Sequence, residues 1–87
     1  MTLRSQSMNK RKEFVIIGQN IRQLRQQAGY AQEEFAHVVG IARGHYGRIE
    51  RGEHGPTAAA LIKIAIVLDV EVGLLFPKLV ELKKLNN

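Results

Sequence analysis

Between Phe35 and Ile49 the chain places apolar residues at Phe35, Val39, Ile41, Tyr46 and Ile49, a small residue at Ala36 and a glycine at Gly40. This pattern constrains the fold more than any other feature. Its spacing predicts two short helices, residues 32–39 and 43–50, joined at a tight turn. The apolar positions supply the contact between them, and Ala36 lets the axes cross closely. Gly40 supplies a turn residue with positive φ at no steric cost.

The surroundings of that stretch read as more short helices. Phe14, Ile17, Ile21 and Leu24 recur on one face of a first helix that Gly29 ends. Residues 51–56 hold Gly52, Gly55 and Pro56, a loop. Thr57 is a fair N-cap for a fourth helix over 58–68, with Leu61, Ile62, Ala65 and Leu68 expected to face inward. Val72 to Phe76 reads as a fifth helix. Pro77 opens a last segment, 78–85, with Leu79, Leu82 and Leu85 along one side. No period-two alternation runs long enough for a sheet. The fold class expected is therefore all-α, a compact five-helix bundle with a short extra C-terminal helix. Its parts are a basic arm at 1–12, a core domain at 13–77 and an extension at 78–87.

At 87 residues the chain is long enough for one modest core. It has no cysteine, so thiolate ligands, disulfides and a cysteine nucleophile are excluded. Its apolar runs are shorter than the ~18–20 residues a membrane span needs, and no apolar segment with a cleavage site marks a secretory leader. A cytoplasmic location is the expectation, and Met8 is a second candidate start. Charge is unevenly distributed. Residues 1–52 carry nine Lys/Arg and four Asp/Glu, whereas residues 53–87 carry four of each. The net charge of +5 thus resides in the first part of the chain, which suits a polyanionic partner such as nucleic acid.

Two helices meeting at a glycine turn describe both a helix-turn-helix, whose second helix enters the DNA major groove, and an ordinary αα-corner. The flanks separate them. Ile21-Arg22-Gln23-Leu24-Arg25, Gln32-Glu33-Glu34-Phe35-Ala36, Arg48-Ile49-Glu50-Arg51-Gly52, Leu61-Ile62-Lys63-Ile64-Ala65, Leu68-Asp69-Val70 and Leu75-Phe76 occur in order over residues 14–76. Together they resemble the phage repressor and Cro family of helix-turn-helix proteins, the Xre-type regulators, with a lambda repressor-like DNA-binding domain.

The resemblance implies roles by position. Gln32 would hydrogen-bond a phosphate at the positive end of its helix. Arg43, Gly44, Gly47 and Arg48 would face base edges, with Arg43 and Arg48 reading guanine O6 and N7. His45 beside them would touch a phosphate or a base, or simply face solvent. Arg51 and the loop to Gly55 would approach the backbone. Arg25 and Glu50 would form an internal ion pair that orients helices more than it stabilises them. The chain departs from the family pattern at Ala31 and Ala42, where a capping side chain is usual; each missing cap costs about 0.5–2 kcal/mol. Gly44 and Gly47 also leave the reading helix with few side chains, so specificity rests on few contacts and on DNA shape.

The resulting expectation is a sequence-specific regulator that binds double-stranded DNA at an inverted repeat as a homodimer, with Leu75, Phe76 and Leu79 in the dimer seam. The alternative is an antitoxin-type protein that uses the apolar C-terminal stripe to hold a toxin and represses its own operon. An enzyme is not expected, nor is any cofactor or metal. His37, His45 and His54 have no metal-ligand spacing with a third ligand, and no nucleophile sits beside a base. The arm at 1–12, with Arg4, Lys10, Arg11 and Lys12, reads as a solvated tail or as a strand along the phosphates, and the passive reading is the expected one.

Overall fold

A computed structural model describes residues 11–86. The order is α1 (Lys12–Gln27), α2 (Gln32–Val39), α3 (Arg43–Glu50), α4 (Ala58–Leu68), a 3-10 turn (Val72–Leu75) and α5 (Leu79–Leu85). No strand occurs among the described residues.

The helix ends follow from local chemistry. Thr57 Oγ1 accepts the Ala60 N–H at 3.0 Å and starts α4. At the end of α1 the Tyr30 N–H reaches the Arg25 carbonyl and the Gly29 N–H reaches that of Gln26, a Schellman closure. The same paired bonds close α2 around Gly40, α3 around Gly52 and α4 around Asp69. Gly40 sits at φ 75°, as the turn demands, whereas Asp69 holds φ 58° with a side chain in place.

The core joins Ile17 and Ile21 of α1, Phe35, Ala36 and Val39 of α2, Tyr46 and Ile49 of α3, and Leu61, Ile64 and Ala65 of α4. Leu75 seals it from the 3-10 turn. Phe35 stands between two rings, with centroids 5.2 Å from Tyr30 and 5.5 Å from Tyr46. Burying such an aromatic stabilises strongly, and its truncation costs about 3–5 kcal/mol. Phe35 therefore anchors the packing of α2 on α3.

Several expectations change. Ile62 points outward at 53% exposure, and Ile64 takes the buried place. Helix α4 is apolar nearly all round, so its sequence does not single out one face. The expected fifth helix is a single 3-10 turn. Lys12 belongs to α1 rather than to the arm, and residues 1–10 of that arm lie outside the described residues. Leu75 is wholly buried, which removes it from any surface seam, while Phe76 (41%) and Leu79 (67%) remain exposed. Asn20 of α1 donates to the carbonyl of Leu75 at 3.2 Å and fixes that turn against the bundle.

Candidate nucleic-acid interface

Helix α3 has two sides. Tyr46, Gly47, Ile49 and Glu50 are buried, whereas Arg43, Gly44, His45 and Arg48 are exposed. Its inner side is held by a polar network. Arg25 of α1 donates through Nε to Glu50 Oε2 at 2.6 Å and through Nη2 to Oε1 at 3.2 Å. Tyr46 Oη donates to the same carboxylate, and Gln32 Nε2 donates to Glu50 Oε1 at 3.1 Å. The expected Arg25–Glu50 pair is thus present, and it ties α1, α2 and α3 together.

Burial alone would push the Glu50 carboxyl up, but hydrogen bonds from Arg25, Tyr46 and Gln32 outweigh it and hold the group below the usual range. Burial, reinforced by the Glu50 carboxylate, raises the Tyr46 hydroxyl well above its ordinary value. Glu50 in turn raises the Arg25 guanidinium through its hydrogen bond, against an opposing effect of burial. All three groups therefore keep their neutral-pH states and act as fixed struts.

On the outer side, Arg43 donates through Nη1 to Glu33 of α2. Arg51 donates to Glu53 twice, from Nε at 2.9 Å and from Nη2 at 3.2 Å, and this contact raises its guanidinium further. The His45 ring meets His54 edge to face, with centroids 4.7 Å apart. Arg48 makes no ion pair with a described residue. Gly44 is open: a Cβ there would meet nothing within 4 Å. Gly47 is not open. It is buried under Arg51, whose Nη1 lies 3.1 Å from where a Cβ would be, so it presents no bare backbone outward. Neither Ala31 nor Ala42 offers a side-chain cap, although Glu34 Oε1 accepts the Ala31 N–H at 3.3 Å.

A cleft beside this face is lined by Gln19, Arg22, Arg25, Gln32, Glu50 and Arg51. It brings together Gln32 and Arg51, which the sequence suggested, and Arg22, which it did not. Arg22 falls one turn before Arg25 on α1, so a helical projection from the Arg25–Glu50 pair would have placed it. Among the described residues no group of three or more His, Asp or Glu is placed to hold a metal, and no helix is long and apolar enough to cross a membrane.

The profile of the Helix-turn-helix family matches residues 21–75, which span α2, α3 and α4 entirely. This chain belongs to that family. Among its relatives, the uncharacterized HTH-type transcriptional regulator YazB of Bacillus subtilis is 42% identical over 65 residues, covering 75% of this chain and 94% of YazB. The HTH-type transcriptional regulator SinR of the same organism is 40% identical over 58 residues, covering 66% of this chain. The chain spans 52% of SinR and 28% of the Escherichia coli regulator SutR. Among solved structures, the restriction-modification controller protein C.AhdI from Aeromonas hydrophila superposes with TM-score 0.69 at 36% identity, over 72% of this chain and 96% of that one. SinR in complex with DNA superposes with TM-score 0.65 at 40% identity, over 68% of this chain and 95% of that one. The expected Xre-type membership and all-helical fold are thereby established, and the relatives named here are transcriptional regulators.

Proposed function

We propose that this chain is a sequence-specific transcriptional regulator that inserts α3 into the major groove of an inverted-repeat operator as a homodimer. The observation that carries this reading is the outer side of α3. Arg43, His45 and Arg48 stand exposed on a helix whose opposite side is pinned by Glu50, and the Arg22–Gln32–Arg51 cleft flanks it. Arg43 and Arg48 would read bases, and Arg22, Gln32 and Arg51 would hold phosphates. The bound DNA of the SinR complex supports the same use of the fold. Residues 13–77 would form the binding domain and 78–87 an extension. One short reading helix makes few contacts, and a two-fold axis doubles them, which motivates a dimer with half-sites about 34 Å apart or a multiple of that. Phe76 and Leu79 remain the candidate seam residues.

Selection of duplexes from a random pool, followed by sedimentation of the free and bound protein, tests both parts. Enrichment of an inverted repeat by a dimer is the expected result. A protein that stays monomeric on its best duplex would overturn the dimer, and one that enriches nothing would overturn the specificity.

A second reading follows from α5, which buries no residue and exposes Leu79, Val80 and Leu82 beside Leu74 and Phe76. Such a surface suits a protein partner, as an antitoxin would require. A SinR–SinI complex exists among the similar structures. Co-purification of a stoichiometric partner that is lost on Leu79→Asp would favour it over the homodimer.

A further inference from the structure

We infer that Glu33 is a specificity-determining residue that suppresses binding to non-operator DNA. The inference rests on the DNA-binding reading above. Glu33 lies in the first turn of α2 and takes only one nitrogen of the Arg43 guanidinium, Nη1. A guanidinium has five N–H donors in a planar fork. Arg43 can therefore keep Glu33 on Nη1 while presenting its remaining donors to guanine O6 and N7. In that state the carboxylate steers the reading side chain and stays neutralised. On a duplex without the right base, the acceptors left for Arg43 are phosphates. A phosphate, unlike neutral guanine O6 and N7, is anionic, so it competes with Glu33 for the guanidinium and sets a carboxylate beside the polyanion. Both side chains are about two-thirds exposed, so the pair is weak enough to exchange in this way.

Glu53 provides the contrast. It occupies Arg51 through both Nε and Nη2, and Nη1 lies over Gly47. That grip leaves no free fork for a base edge. Glu53 therefore opposes a phosphate contact on every duplex alike, and Glu33 opposes it selectively.

The test uses the full chain, a duplex selected from a random pool by the wild-type protein, and a scrambled duplex of equal composition. Affinities are measured across a salt series for Glu33→Gln, Glu53→Gln and the charge-matched control Glu71→Gln, which lies in the loop after α4. Glu33→Gln should bind the scrambled duplex about threefold more tightly or better, with no gain on the selected one. Its salt slope on scrambled DNA should steepen by up to about 0.9, one further phosphate contact. Glu53→Gln should gain equally on both duplexes. In an Arg43→Ala background Glu33 loses this partner on either duplex, so any gain from Glu33→Gln should be equal on both and its selectivity should vanish. Equal gains on both duplexes for Glu33→Gln, or changes no larger than those of Glu71→Gln, would overturn the inference while leaving DNA binding intact. A wild-type protein that binds neither duplex would overturn the underlying reading.

Discussion

The Arg25 guanidinium grips both oxygens of the Glu50 carboxylate, and both side chains are more than nine-tenths buried. Two helices that are distant in sequence thereby share one charge pair in a largely dry setting. Removing one partner strands the other charge. Glu50→Ala should therefore cost about 3–5 kcal/mol, a large fraction of the stability of a small domain. Tyr46→Phe removes one hydrogen bond to a charged acceptor and should cost about 1.5–3 kcal/mol. Chemical denaturation of both variants checks the order, which would be wrong if the phenylalanine variant proved the weaker.

Acid should act through the same carboxylate. Glu50 titrates lower in the folded protein than in the unfolded chain, so the folded state binds fewer protons between the two values. The stabilisation is complete above the unfolded value of about 4.3 and is lost as pH falls through the folded one. The stability gap between wild type and Glu50→Gln should consequently be constant near neutral pH and narrow in acid. Denaturant midpoints from pH 7 to pH 2.5 measure it, and a gap that stays flat would show that Glu50 is not the group being protonated.

Two glycines should respond oppositely to alanine. At Gly18 a Cβ would fall 2.4 Å from the Glu50 carbonyl oxygen and 2.5 Å from that of Ile49, so α1 and α3 must separate. Gly18→Ala should destabilise by about 1–3 kcal/mol or more. At Gly44 there is open space and ordinary helical backbone, and Gly44→Ala should stabilise by up to about 1 kcal/mol. Thermal unfolding distinguishes them, and a loss of stability at position 44 would contradict the open geometry.

The two candidate readers on α3 should affect preference more than general binding. Arg43→Ala and Arg48→Ala should each cost about 1–3 kcal/mol on the selected operator and relax one base position. Affinity for scrambled DNA should fall much less. Uniform weakening on all duplexes would identify these side chains as phosphate contacts instead.

Where apolar spacing and breakers coincide, the sequence is legible: the bounds of α2, α3 and α4, the turn at Gly40 and the Thr57 cap all follow from residue type. Helix α4 shows where that fails. Its composition is apolar on every side, so the inward place of Ile64 and the outward place of Ile62 depend on what packs against it. The site behaves likewise. Arg25 and Glu50 were legible because the family motif carries them. The Arg43–Glu33 contact joins residues ten apart on different helices, and the burial of Gly47 depends on where the Arg51 side chain lies. Neither follows from spacing along one helix. Arg22 was within reach of a helical projection, but its place beside Gln32 and Arg51 needed three helices in position.

The approach of Gly18 to the Glu50 and Ile49 carbonyls has a mechanical consequence. Main chain rests on main chain there, with no compressible side chain between. The separation of α1 from α3 is then a hard stop, set by atoms that no exchange of core residues can alter. Repacking Ile21, Ile64 or Leu75 would change how tightly the bundle closes, but the height at which α3 stands above α1 would stay the same.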